Sequence, residues 1–183
     1  MSTSQVWEVV GGADKGGIIV RAGKDNTSDA LNRISTGALL RELQIDGDKM
    51  QYERLTGTGP MTGWVTLKLK DKDLCTKSSK AILRLKFMSP VEQDEDGNNL
   101  HYCDLHALPE TTVGQLKALC ASKTGLKPGC MIPAKGKMGE RITEGATIKE
   151  DLTLSEAGYA EGDEFAFIYT GTLETDLKPP PTS

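Results

Sequence analysis

The sequence predicts a mainly β chain of two small units: a barrel of short strands over residues 5–75, and an α+β unit over residues 80–171. Three observations carry this. Glycines are many and aromatics few (20 Gly against two Trp, four Tyr and three Phe), which suits short strands and tight turns better than one large core. Through the first 75 residues, apolar residues come in short runs broken by glycine, without helical spacing. A single capped helix signal follows later, between alternating strand patterns. The 183 residues are enough for two small domains.

In the first unit, Ile18, Ile19 and Val20 follow the pair Gly16-Gly17. Residues 38–45 carry Leu39, Leu40, Leu43 and Ile45, and residues 49–55 alternate Met50, Tyr52 and Arg54. Gly63-Trp64-Val65-Thr66-Leu67 makes another run. Asp46-Gly47-Asp48 is a hairpin turn signal, and Gly57-Thr58-Gly59-Pro60 a second turn, because Gly supplies positive φ and Pro fixes its own. This is the pattern of a small barrel or sandwich.

In the second unit, Leu83, Leu85 and Phe87 alternate with Arg84 and Lys86. Cys103, Leu105 and Ala107 alternate with Asp104 and His106. The two runs predict a hairpin with a long acidic loop over residues 89–99, and Pro109 stops its second strand. Thr112-Val113-Gly114-Gln115 is a capping box. Val113, Leu116, Leu119 and Cys120 then share one side at helical spacing. Gly125 sits where a left-handed cap is needed, and Pro128 cannot continue the helix. Met131-Ile132 predicts a short strand, Lys135-Gly136-Lys137 a turn, residues 153–159 a helical turn, and residues 164–169 a last strand with Phe165 and Phe167 on one face.

The polar stretch of residues 70–80 holds the predicted boundary, with a linker over residues 76–79. Residues 172–183, with Pro179, Pro180 and Pro181, predict a disordered Pro-rich tail.

Composition narrows the function. The net charge of −4 with interspersed signs gives no basic stripe for nucleic acid. No run reaches the ~18 apolar residues of a membrane span. The first residues lack the basic start and apolar core of a secretory signal. The four cysteines form no CxxC pair, so no metal and no redox motif are expected, and reduced thiols in an intracellular, cytoplasmic setting follow. Residues 11–17 are glycine-rich but lack the Lys-Ser/Thr ending of a phosphate-binding loop, and they lead into a strand. Cys103 with His101 and His106 is the nearest thing to a nucleophilic pair. A strand-buried Cys is usually inert, so no catalytic residue and no cofactor are expected.

Three stretches of the second unit together resemble the ubiquitin-like family. They are Leu108-Pro109-Glu110-Thr111-Thr112-Val113 into the helix ending at Gly125, Met131-Ile132-Pro133-Ala134-Lys135-Gly136-Lys137, and Leu152-Thr153-Leu154-Ser155-Glu156 through Tyr159 to Phe165-Ala166-Phe167-Ile168. The resemblance implies a β-grasp domain. The chain departs from the family in its long hairpin loop, in extra residues at 141–150, and in the absence of a terminal double glycine. Gly171 stands alone, so the resemblance implies a domain within a larger protein and not a conjugated modifier. The first unit, from Ile18-Ile19-Val20-Arg21 to Gly63-Trp64-Val65-Thr66-Leu67-Lys68-Leu69, resembles the bacterial-type SH3 family, an SH3-like small barrel. Gly23-Lys24-Asp25-Asn26 is similar to the loop of the CAP-Gly family, but the last two residues are reversed and the surrounding aromatics are missing.

The ubiquitin-like resemblance implies that Ile132 and Ile168 form an exposed protein-binding patch, with Met131 extending it and Lys137 as a rim charge. A one-residue slip of register would bury them instead. In the first unit, Tyr52, Trp64 and Pro60 form a candidate groove for an extended ligand, against the alternative that Trp64 is the main core residue, with Trp7 beside it. The expected function is a non-enzymatic adaptor, monomeric or part of a hetero-complex. The ubiquitin-like domain would dock on a receptor or assembly and the SH3-like domain would bind a second protein or peptide. A structural subunit of a large complex and a regulator of an enzyme are the alternatives.

Overall fold

The computed structural model describes residues 5–180. The chain is mainly β and divides into two compact units at Lys80/Ala81.

Unit 1 is one curled, seven-stranded antiparallel sheet with an added hairpin. Its strands are β1 (Val6–Val9), β2 (Ile18–Arg21), β3 (Ala30–Ile34), β4 (Leu39–Asp46), β5 (Lys49–Arg54), β6 (Thr62–Thr66), the hairpin β7 (Lys68–Leu69) and β8 (Lys72–Asp73), and β9 (Cys75–Lys77). The order is β3-β2-β6-β5-β4-β1-β9. Alternation decides which side is buried. Met50 and Tyr52 point inward from β5, Val65 from β6, and Val9, Val20, Ile34 and Leu40 complete the core. Trp7 belongs to this core, and its indole Nε1 donates to Glu42 Oε2 at 2.8 Å. The expected linker at residues 76–79 is corrected. Thr76 and Lys77 are β9 residues paired to Glu8 and Trp7, and the Ser78 N–H donates to the Val6 carbonyl at 2.9 Å. Polarity misled here because an edge strand needs only one inward side chain, and Cys75 supplies it.

Unit 2 opens with the hairpin β10 (Leu83–Gln93) and β11 (Asn99–Ala107), followed by helix α1 (Val113–Thr124), β12 (Met131–Ala134), β13 (Ala166–Tyr169) and a four-residue turn of helix α2 (Leu173–Asp176). The capping box at Thr112 and Gln115 is formed in both directions, and Gly125 takes φ 79°. Val113, Leu116, Cys120 and Ala121 face the core with Leu85, Phe87, Leu105, Leu154, Phe165 and Phe167. β12 and β13 pair antiparallel. A parallel bridge, Lys86↔Glu164, then joins the β10–β11 hairpin to the segment leading into β13, and the Phe165 N–H donates to the Lys86 carbonyl at 2.9 Å. The two strand pairs, β10-β11 and β12-β13, thus lie with β10 beside the segment that leads into β13.

Two expectations about this unit are corrected. The acidic loop of residues 89–99 is mostly strand. β10 runs to Gln93 and β11 starts at Asn99, leaving a turn held by Asp94, whose carboxylate accepts the N–H groups of Asp96 and Asn98. Those hydrogen bonds hold the Asp94 carboxyl below its usual range. The tail is also ordered through its first part. After α2, the Lys178 N–H donates to the Thr124 carbonyl at 2.8 Å, and the Tyr102 hydroxyl donates to the Lys178 carbonyl at 2.7 Å. Pro181 and the two residues after it lie outside the described residues.

Candidate protein-binding sites

Two places could meet a partner, one on each unit. On unit 2, Ile132 and Ile168 sit directly opposite each other in the β12–β13 ladder. Ile132 is 41% exposed and Ile168 half-buried, so this pair faces outward. The neighbouring residues alternate inward: Met131 is 2% exposed, and Pro133 and Phe167 are buried. Met131 is therefore core and does not extend the patch, because adjacent strand residues face opposite ways. Lys137 is exposed just beyond the turn at Gly136. The free edge of β12 is covered by residues 146–148. The Lys135 N–H donates to the Ala146 carbonyl and the Ile148 N–H to the Pro133 carbonyl. That cover protects an edge that would otherwise invite strand pairing.

On unit 1 the expected groove is rearranged. Tyr52 is fully buried, and its hydroxyl donates to the Pro60 carbonyl at 3.0 Å. Burial raises the Tyr52 pKa strongly, so it stays protonated. It is a core residue with a satisfied hydroxyl and cannot line a groove. Pro60 is half-buried and serves as that hydroxyl's acceptor. Trp64 does the opposite of the core reading. The register Met50↔Val65 sends Val65 inward and turns Trp64 outward, half-buried.

Trp64 lines a cavity of about 480 Å³. Ile18, Ile19, Leu69 and Leu74 share its apolar surface. Around them stand Lys15, Arg21, Lys24, Arg33, Lys49 and Lys72, against a single lining carboxylate, Asp14. Three of these cations are held by neutral groups. Arg21 Nη1 donates to the Ser28 carbonyl at 2.8 Å, Arg33 Nη1 to the Gly17 carbonyl at 2.7 Å, and Lys49 Nζ to Asn26 Oδ1 at 2.7 Å and Thr66 Oγ1 at 2.6 Å. Lys24 pairs with Asp46 at 2.7 Å, and that hydrogen bond and charge raise its pKa. The sequence reading missed these cations, because they come from separate strands and loops and no local run shows them converging.

Three of the four cysteines are buried. Burial pushes the Cys103 thiol up to about 11 and the Cys75 thiol up to about 12, and Cys120 is also raised by burial. His101 is exposed and turned to Asp104, with Nε2 2.9 Å from Oδ1. Only Cys130 is partly exposed. At neutral pH, iodoacetamide should alkylate Cys130 at least about tenfold faster than the other three, read by peptide mass spectrometry. Faster labelling of Cys103 would show that the β10–β11 hairpin opens in the native state.

Among the described residues, no group of three or more His, Cys, Asp or Glu side chains is placed to hold a metal ion. No helix among them is long and apolar enough to cross a membrane. No protein-family model, curated protein or solved structure matches the chain.

Proposed function

We propose that this protein is a non-enzymatic protein–protein interaction adaptor, a ubiquitin-like β-grasp domain preceded by an SH3-like small barrel. The observation that carries the reading is the Ile132–Ile168 pair: two aliphatic side chains side by side on the outer face of a strand pair whose other face is core. Exposed aliphatics on a rigid ladder can become the few desolvated anchors that dominate a protein interface. The two strand pairs, with β10 beside the segment that leads into β13 and one capped helix after the β10–β11 hairpin, support the β-grasp part of the reading. The single curled sheet of short antiparallel strands supports the small-barrel part.

The test is Ile132→Arg with Ile168→Arg, folding checked by circular dichroism, followed by comparative pull-down against the unchanged chain. The expected result is a folded variant that loses a defined set of protein partners. A folded variant that keeps every partner would overturn the reading. Ile132→Gln alone, a milder change at the more exposed of the pair, keeps the test valid if the double variant unfolds.

A further inference from the structure

We propose that the Trp64 cavity of unit 1 binds an extended acidic peptide segment carrying an apolar side chain among its carboxylates. This deepens the adaptor reading and rests on it, since it names the chemistry of the second partner.

β5 and β6 share five residue pairs, from Lys49↔Thr66 to Glu53↔Thr62. β2 and β6 share one, Arg21↔Trp64. Beyond that pair the cavity lies between them, lined by Ile18 and Ile19 on one side and by Val65 and Thr66 on the other. A seam held by one pair leaves backbone groups of two strands beside an opening. An extended segment laid there can form main-chain hydrogen bonds while its alternate side chains enter the cavity. Trp64, Ile19 and Leu69 supply an apolar surface for one such side chain. Ile19 is 42% exposed and Leu69 60% exposed, so both are open to a ligand.

Charge selects the ligand. Arg21, Arg33 and Lys49 are each anchored by a carbonyl, amide or hydroxyl oxygen, so their positive charge is not cancelled by a partner. A guanidinium has five N–H donors, and only one donor nitrogen of each arginine is engaged. The remaining donors fit carboxylates. Lys15 and Lys72 add exposed charge. Such a cluster in a chain of net charge −4 is local, and it attracts acidic segments without making the whole protein basic. Nucleic acid fits less well. Its binding calls for a basic groove tracking the backbone and successive stacking aromatics, and this cavity has one aromatic.

The experiment uses the full chain and four probes: a fluorescein-labelled peptide of alternating Glu and Leu, its Lys and Leu counterpart, an oligo-dT of equal charge, and inorganic phosphate. Anisotropy reports binding of the labelled probes. Tryptophan fluorescence reports the site, because Trp7 is buried and Trp64 is not. The acidic peptide should bind, perturb Trp64 and weaken with added salt. Lys15→Glu with Lys72→Glu alters two exposed side chains and should weaken binding roughly tenfold or more while the fold is kept. Arg21→Gln should weaken it without charge reversal.

Equal binding of the basic peptide, or no Trp64 response to the acidic one, would overturn the proposal. So would oligo-dT or phosphate matching the acidic peptide in affinity and Trp64 response, which would make the cavity a general polyanion site. Failure here with partner loss in the Ile132/Ile168 variant would remove the cavity's role and leave the adaptor reading standing.

Discussion

Phe87→Ala is expected to cost unit 2 about 3–5 kcal/mol, the range for truncating a buried aromatic. Phe87 is fully buried in β10 and ties the two strand pairs together. Its ring meets Tyr102 of β11 edge-on, with centroids 5.4 Å apart, and stacks on Phe167 of β13 at 5.6 Å and 15°. A parallel bridge between those strand pairs lies next to it, at Lys86↔Glu164. Removing the ring therefore leaves a cavity where the sheet has the fewest backbone bonds to hold it. Native-state amide exchange in β10 and β13 is the measurement, because it reads this unit alone. A loss below about 1 kcal/mol, comparable to a surface change, would mean that the aromatic cluster does not hold the sheet together.

Gly17→Ala should cost unit 1 about 3 kcal/mol or more, while Gly16→Ala should cost only about 1–2 kcal/mol. The two glycines are adjacent and both have positive φ, 114° and 73°. They differ in their surroundings. A Cβ at Gly17 would lie 1.9 Å from the Ile34 carbonyl oxygen, which is backbone and cannot swing away, whereas a Cβ at Gly16 meets nothing within 4 Å. The Gly17 carbonyl also accepts from Arg33, so displacement would loosen a cation of the Trp64 cavity. Thermal melts of the two variants separate the effects. Equal losses would show that φ strain alone governs both positions.

The parts of the fold that the sequence made legible are those written in local chemistry. Helix α1 was readable to the residue, because Thr112, Gln115 and Gly125 cap it within their own few positions. The β12–β13 patch was readable in composition, but its register was not. Ile132 faces out and Met131 in, a choice made by pairing with Tyr169 and Ile168 from far along the chain. The same one-residue choice exchanged the roles of Tyr52 and Trp64. Both are aromatic and near turns, and only the β5–β6 register says which is core. Polarity misled at residues 76–79, in the acidic loop and in the tail. The hairpin strands extend to the acidic turn, with an irregular register after Met88 and a closing pair at Gln93↔Asn99. Residues after Gly171 are held by Tyr102 and Thr124, partners that no local pattern announces.

The clasp between β1 and β9 has a mechanical consequence. The register Trp7↔Lys77 and Val9↔Cys75 brings the first and last strands of unit 1 together antiparallel, so both ends of the unit leave from the same corner. Tension applied across those ends would act along the direction of the ladder hydrogen bonds, which lie perpendicular to antiparallel strands. The bonds would then carry load in succession, starting with Ser78 to Val6 and the Lys80–Glu8 pair at 2.9 Å. A unit loaded in this way peels open at low force, its closing strand first, like a zipper drawn from its open end.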